Sequence, residues 1–327
     1  MEKIIIYLGS KCNMNCPYCH REIAESEIGI SDKLLEFLKK RRCTITFKGG
    51  EPTLYMDDIK KVVNAADKAV FEISTNGMFL EKYIEYFRKH QFKIFISYDG
   101  DNNRVRGFDP FTKVLNYPWL GVSSTLSHGN TDVDSILDNF AEKSLIIGRH
   151  LGFYPHLVHC TNSQNREYAL TDEDYNSILE QFKKCIYRYL DDIAKFSTVN
   201  LRYRDLYLSL RKKLENHYTF GETACANKNT QRIDTTGKWY NCLYIRDTFL
   251  SKDNWIDIQK NIICSISPKC EKCTVYDMCG GGCIKSLNHA KECEFYKKLY
   301  TWFKGFYFQN KDILEGMECY GATTNPK

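Results

Sequence analysis

The chain reads as an α/β protein built on a parallel sheet, open or barrel-like. Three observations predict it. Apolar runs of strand length alternate with amphipathic helical stretches over roughly the first 190 residues. Six such strand runs occur, each joined to the next through a helical segment, which calls for right-handed crossovers. Several of the strands end in a polar or glycine-rich turn, so one rim of the sheet collects them.

The elements follow in order. Residues 2–8 form a buried strand, and Cys12 to Cys19 lie on the loop beyond its C-terminal end, where α/β folds place chemistry. Ser31 caps a helix carrying Leu34, Leu35 and Leu38 on one face. Strand 44–47 ends in Gly49-Gly50-Glu51-Pro52, and a helix over 56–68 follows. Strand 70–74 ends in Thr75-Asn76-Gly77, helix 79–89 comes next, and strand 92–97 ends in Tyr98-Asp99-Gly100. Strand 119–125 precedes helix 133–148, opened by a Thr131-x-x-Asp134 capping box. Strand 151–159 ends at Cys160, and a second box, Thr171-x-x-Asp174, opens helix 172–190. Residues 191–219 are charged and helical, a bridge. Arg232 to Tyr244 reads as a hairpin around Thr235-Thr236-Gly237-Lys238. Phe295 to Leu314 is an aromatic-rich helix that packs back on the body. The expected division is therefore 1–190, a bridge at 191–219, a cysteine-rich domain at 220–293 and a C-terminal helix and tail at 294–327.

The chain has 327 residues, 43% hydrophobic and 27% charged, an ordinary profile for a water-exposed globular protein. Its net charge of +5 suits an anionic cofactor or substrate and gives no ground for a nucleic-acid partner. No secretory signal and no apolar run of transmembrane length is present, so a cytoplasmic protein without a membrane partner is expected. Fifteen cysteines without a signal point to metal or redox chemistry rather than disulfides.

Cys12, Cys16 and Cys19 stand at C-x3-C-x2-C spacing. Three thiolates can hold three irons of a 4Fe–4S cluster and leave the fourth iron open for a ligand. Two other readings compete. Cys16-Pro17-Tyr18-Cys19-His20 also matches a haem-attachment pattern, but that chemistry needs an exported chain and leaves Cys12 without a role. A zinc site would need a fourth ligand at a spacing His20 does not offer.

Cys12-x3-Cys16-x2-Cys19 after the first strand, Gly-Gly-Glu-Pro after the second, then Ser74-Thr75-Asn76-Gly77 and Ser97-Tyr98-Asp99-Gly100, in that order, resemble the radical S-adenosylmethionine (radical SAM) superfamily. The resemblance implies a partial (β/α)6 barrel and S-adenosylmethionine chelated to the unique iron. It implies that the Gly49 and Gly50 carbonyls with Glu51 accept hydrogen bonds from the methionine amino group, that the glycines let the backbone approach the ligand, and that Pro52 fixes the turn. Ser74, Thr75 and Asn76 would reach the ribose, and Tyr18 would lie near the adenine. Asp99 and Arg104 would contact cofactor or substrate, with a surface salt bridge as the plain alternative.

From Cys225 the cysteines thicken. Cys225-x11-Gly237-x4-Cys242 is followed by Cys270-x2-Cys273-x5-Cys279-x3-Cys283 and Cys293. This is similar to the SPASM domain, which carries two auxiliary 4Fe–4S clusters in peptide-modifying radical SAM enzymes. The resemblance assigns Cys225, Cys242 and Cys283 to the nearer cluster and Cys270, Cys273, Cys279 and Cys293 to the farther one. The nearer cluster then has three evident ligands, with its fourth position open or filled, Cys264 and Cys319 being the spare candidates. Cys43 and Cys185 read as buried apolar residues. Cys160, at a strand end, is a candidate hydrogen-atom donor at the barrel mouth, against plain packing.

The activity implied is reductive cleavage of S-adenosylmethionine to a 5′-deoxyadenosyl radical, which takes hydrogen from a short peptide and leads to a crosslink, thioether or dehydrogenation. A flavodoxin or ferredoxin would supply the electron. The first strand begins almost at Met1, so a separate leader-binding protein, or none, is expected. Anaerobic sulfatase maturases place an aspartate directly after the Gly-x4-Cys cysteine; here Leu243 stands there, which argues against that role. Two alternatives stay open: radical oxidation or isomerisation of a small molecule or nucleotide, and a non-enzymatic iron–sulfur or zinc protein.

Overall fold

A computed structural model describes residues 1–19, 28–100, 109–111, 117–161, 165–240, 242, 249–250 and 254–321, and not the side chains of 249–250 and 317–320. Arg104, His20 and Leu243 lie outside the described residues, as does the side chain of Cys319.

The six expected strands are β1 (Glu2–Tyr7), β2 (Cys43–Lys48), β3 (Val70–Thr75), β4 (Lys93–Ser97), β5 (Leu120–Leu126) and β6 (Gly152–Leu157). They pair in the order 6-5-4-3-2-1, parallel throughout, and the sheet does not close. The α/β class and the partial-barrel arrangement both stand. Helices α1 (Asp32–Leu38), α2 (Met56–Ala65), α3 (Leu80–Lys89) and α4 (Val133–Ile146) supply the crossovers. Ser31 caps α1 by accepting from the backbone N–H of Leu34.

The cysteine-rich part also joins this sheet. Strand β7 (Thr230–Asp234) lies parallel to β1 on its free edge, and β8 (Trp239–Tyr240) and β9 (Phe249–Leu250) continue antiparallel. The hairpin between β7 and β8 turns where it was expected, with Asp234 Oδ1 accepting from the N–H groups of Thr236 and Lys238. Its parallel docking on β1 has no local signature, because it depends on which edge the barrel leaves unpaired.

Two further elements differ from expectation. Helix α4 is capped by Asp132, whose side chain accepts from Ser135 N–H, so the Thr131-x-x-Asp134 box does not form. Asp134 instead pairs with Arg188 and Lys184, and Thr131 gives its carbonyl to Gln181. The Thr171–Asp174 box does form, at the start of α5 (Asp172–Phe196), which runs on until Ser197 takes a left-handed conformation. Helix α6 (Leu201–Leu214) follows, then α7 (Trp255–Ile266), the short α8 (Tyr276–Cys279), α9 (His289–Gln309) and α10 (Lys311–Gly321).

Strand alternation divides the residues between two faces. Cys43, Ile45 and Phe47 of β2 face the helices, where Phe47, Phe71, Phe87 and Phe92 gather. Phe92 is fully buried, with ring centroids 5.3 Å from Phe71 and 5.0 Å from Phe87. Phe92→Ala is expected to cost about 3–5 kcal/mol, read as a lower urea midpoint at unchanged slope. The same core continues between α5, α6 and α9 through Tyr189 stacked on Tyr207, Tyr207 against Phe303, and Tyr175 against Phe295. Among the described residues no helix is long and apolar enough to cross a membrane.

Candidate active site

The site is built where β1, β2 and β3 end. Gly50 N–H donates to Gly9 O and Glu51 N–H to Lys11 O, both at 2.8 Å, so the turn after β2 is sewn to the loop that leads into Cys12. A Cβ on Gly49 would stand 2.6 Å from Gly9 O, and one on Gly50 would stand 2.1 Å from Lys11 O. The sequence reading gave these glycines the task of letting the backbone approach a ligand. In the structure they first let two backbones approach each other, because the parallel strands β1 and β2 deliver both loops to the same place.

Glu51 also has a task the motif did not reveal. It is 1% exposed, and its Oε1 accepts from Thr53 N (3.0 Å), Thr53 Oγ1 (2.6 Å) and Thr75 Oγ1 (2.7 Å), while Oε2 accepts from Asn76 N (2.8 Å). The carboxylate thus latches the β2 turn to the end of β3, and only Oε2 keeps room for another donor. Pro52 opens the single 3-10 turn Pro52–Tyr55 beneath it. Thr75 is committed to Glu51. Ser74 is half-buried on the same face of β3 as Glu72. Asn76 reaches the cysteine loop, its Nδ2 donating to Asn13 Oδ1 at 2.7 Å and lying 3.9 Å from Cys12 Sγ.

Cys12, Cys16 and Cys19 are half-buried on this loop. Cys12 Sγ accepts from Met14 N–H at 3.4 Å, and Cys19 N–H donates to Cys16 O. Tyr18 is anchored rather than open. Its hydroxyl donates to Asp99 Oδ2, its carbonyl accepts from Asn165 Nδ2, and its ring meets Tyr168 edge-on. Asp99 is 1% exposed and also accepts from Thr125 N–H. Cys160 is 2% exposed, its thiol donates to Asn165 O, and burial raises its pKa, with Glu292 adding to the effect.

The distal cysteines fall into two neighbourhoods. Cys270, Cys273, Cys279 and Cys293 line one cavity, together with Val275, Tyr276 and His289. Cys270 and Cys273 flank the end of the 3-10 turn Pro268–Lys272, Cys279 ends α8, and Cys293 lies in the first turns of α9. Cys264 acts on Cys270 of this group. Burial pushes Cys283 up to about 12; a backbone bond with Lys285 opposes this, and Glu292, Cys225 and Cys242 add to it, so these three cysteines share the second neighbourhood. Among the described residues no three His, Cys, Asp or Glu side chains gather tightly enough for a single metal ion. Cys43 and Cys185 are buried.

Two groups escaped the sequence. Glu292, 1% exposed, accepts from Ser286 Oγ and lies 3.3 Å from His159 Nδ1, tying the end of β6 to the cysteine-rich part. Its place beside Cys293 was the only signal. Lys48, the last residue of β2, faces the barrel lumen; an ionisable residue ending an apolar strand was the sign of it.

No family model matches the chain. The cysteine-type anaerobic sulfatase-maturating enzyme of Clostridium novyi is 27% identical over 335 residues, covering 85% of this chain and 86% of that one. The solved structure of native anSMEcpe with bound AdoMet and Cp18Cys peptide superposes with a TM-score of 0.67 at 19% identity, over 97% of this chain and 99% of that one. The chain is an enzyme similar to these maturases over most of its length. A different likeness is local: a probable GTP 3′,8-cyclase of Methanococcus maripaludis is 37% identical, but over 84 residues, 23% of this chain and 28% of that one. A short stretch of the chain is therefore similar to a nucleotide cyclase, and 85% of it to the maturase of Clostridium novyi.

Proposed function

We propose that the chain binds S-adenosylmethionine at a 4Fe–4S cluster held by Cys12, Cys16 and Cys19, and oxidatively modifies a peptide side chain in the barrel mouth. Two auxiliary 4Fe–4S clusters complete the reading, one on Cys225, Cys242 and Cys283, the other on Cys270, Cys273, Cys279 and Cys293. The observation that carries it is the extent of the likeness to the maturases, which includes the cysteine-rich end and β7 in the sheet. The cyclase likeness stops at about a quarter of the chain.

The residues suit these groups. Met14 N–H and the Asn76 amide both point at Cys12 Sγ, at 3.4 and 3.9 Å, and hold the sulfur in place on the loop. Burial pushes Cys279 and Cys283 each up to about 12, and a metal cluster is what keeps such sulfurs ionised. When bound, the first cluster and S-adenosylmethionine supply a 5′-deoxyadenosyl radical that abstracts hydrogen from carbon. The chain's own part is positional. Glu51, Thr75 and Asn76 fix the cofactor rim, with the glycine carbonyls and Oε2 of Glu51 available to the methionine amino group. The Tyr18–Asp99 bond pins the tip of the cysteine loop to the end of β4 and closes that side to water. Cysteine oxidation is the version carried by the relatives' name; crosslinking, thioether formation and dehydrogenation use the same first step. A one-electron donor of flavodoxin or ferredoxin type, and a leader-binding partner where the peptide carries a leader, belong to this reading.

Anaerobically reconstituted protein, given dithionite, S-adenosylmethionine and a peptide deuterated at its side chains, is expected to yield 5′-deoxyadenosine carrying one deuterium. Deuterium arriving only from a labelled nucleotide or metabolite would transfer the function to the small-molecule reading. Zinc without iron, and no 5′-deoxyadenosine, would end the enzymatic one.

A further inference from the structure

The pair His159–Glu292 is built like a base as well as a tie. His159 stands two residues beyond β6, at the end of the parallel sheet where β1, β2 and β3 also deliver their loops. Its Nδ1 lies 3.4 Å from Oε1 and 3.3 Å from Oε2 of Glu292 on α9. A carboxylate only accepts, so Nδ1 carries the proton and the lone pair is left on Nε2. The Glu292 side chain is 2% exposed and that of His159 32%, so the carboxylate is shut away while the ring can be reached. Oε1 also accepts from Ser286 Oγ, whereas Oε2 accepts no hydrogen bond among the described residues. A buried carboxylate with an unfilled lone pair beside an imidazole stabilises the imidazolium that forms when Nε2 takes a second proton.

The pair also stands between the cysteine loops. Asn165 Nδ2 donates to Tyr18 O at 3.1 Å and to His159 O at 3.4 Å, and Tyr18 precedes Cys19. On the other side Leu287 N–H donates to Cys160 O at 2.7 Å, and Ser286 N–H donates to Cys283 O at 3.2 Å. Segment 159–160 is thus bonded toward the first cysteine loop and toward the loop after Cys283. Glu51, Asp99 and Cys160, the other titratable groups of the site described above, are committed. Glu51 accepts four bonds, Asp99 accepts from the Tyr18 hydroxyl and Thr125 N–H, and the buried Cys160 thiol donates to Asn165 O. His128 also meets a carboxylate, Asp174, but its bonds lead to the start of α5 and to Tyr168.

We propose that Nε2 of His159 is the base that takes the substrate's proton, with Glu292 as its positioning residue. Abstraction of a hydrogen atom from a side-chain carbon leaves a radical, and its oxidation to a closed-shell product releases one electron and one proton. For a cysteine side chain the Cβ–H bond breaks and its hydrogen atom goes to the 5′-deoxyadenosyl carbon. The S–H bond then breaks, its proton goes to Nε2, one electron goes to an oxidised auxiliary 4Fe–4S cluster, and a C=S bond forms. A carbon that gives its hydrogen near the first cysteine loop and its electron toward the distal cysteines stands between them, and so does segment 159–160. The inference rests on the proposed peptide oxidation.

A Cys-centred peptide deuterated at Cβ, dithionite and S-adenosylmethionine are given to anaerobically reconstituted protein, each variant first shown to hold about twelve irons, four per cluster. In His159→Asn the amide can keep the bond to Glu292 but offers no base at the Nε2 position. This variant should still form deuterated 5′-deoxyadenosine, while the oxidised peptide formed per 5′-deoxyadenosine falls about 100-fold. Glu292→Gln should lower that ratio when His159 is present and add nothing to His159→Asn, as coupled residues do. Apart from turnover, bound peptide should abolish labelling of His159 by diethyl pyrocarbonate, which reacts at the free imidazole nitrogen. An unchanged ratio in His159→Asn, a Glu292→Gln loss of equal size in both backgrounds, or labelling indifferent to bound peptide would overturn the proposal. If the unaltered protein takes no deuterium from the peptide, the proposed function falls and this base falls with it. Deuterium transfer with normal product from His159→Asn would remove the base alone.

Discussion

Replacing Cys12, Cys16 and Cys19 together by Ala is expected to abolish formation of 5′-deoxyadenosine while leaving about eight irons per chain, four for each auxiliary cluster. The separation follows from where the thiols sit. The first three lie on the loop between β1 and α1, whereas the four cysteines around the distal cavity are placed by α8, α9 and the 3-10 turn before them. The side-chain links of residues 12–19 to the body include Asn76, Asp99 and Asn165, none of which lies on those elements. Removing the first cluster therefore takes nothing from the other two. Iron analysis and chromatography of the nucleoside product on the reconstituted triple variant check both halves. Retention of about four irons would mean that one distal group is not a cluster site. Persistent 5′-deoxyadenosine would remove the first loop from the chemistry.

The contrast between these sites shows what a sequence can carry. All six barrel strands were legible because each is an apolar run of ordinary length bounded by a turn, a local signal. The cysteine pattern was legible because ligand spacing survives in one dimension. Glu51 was legible as a site residue but not as a latch, since its four donors come from Thr53, Thr75 and Asn76, up to 25 residues from it along the chain and brought together only when β2 and β3 pair. The capping box at Thr131 was misread by one residue because Asp132 and Asp134 both offer a carboxylate, and Asp134 is drawn off by cations from α5. Lys48 was passed over for the opposite reason: nothing about it is a motif. Its setting comes from the face it shares with Thr46 and Glu72, which forms only when β2 and β3 pair.

Gly50→Ala is expected to do much of what the triple cysteine variant does, without touching a ligand. The added Cβ would lie 2.1 Å from Lys11 O, 2.5 Å from Ser10 O and 2.6 Å from Lys11 C, all backbone atoms. No rotamer change relieves a clash with backbone, so one of the two loops must move. The loop after β2 is held by Glu51 through four hydrogen bonds to Thr53, Thr75 and Asn76. On the other side Gly9 O accepts from Gly50 N–H, Lys11 O from Glu51 N–H, and Lys11 N–H donates to the Tyr55 hydroxyl. Movement on that side reaches the cysteine loop directly, because Lys11 is the residue before Cys12. A shift there also strains the contact of Asn76 with Asn13 and Cys12. The variant should keep the sheet and the two distal clusters, lose about four irons per chain, and form 5′-deoxyadenosine at least 100-fold more slowly, since misplacement near 1 Å costs on that order. Gly305→Ala, in α9 with nothing within 4 Å of the added Cβ, is the matched control and should leave iron and rate unchanged. A Gly50→Ala protein with full iron and full rate would show that the two loops are not as tightly coupled as their backbone bonds require.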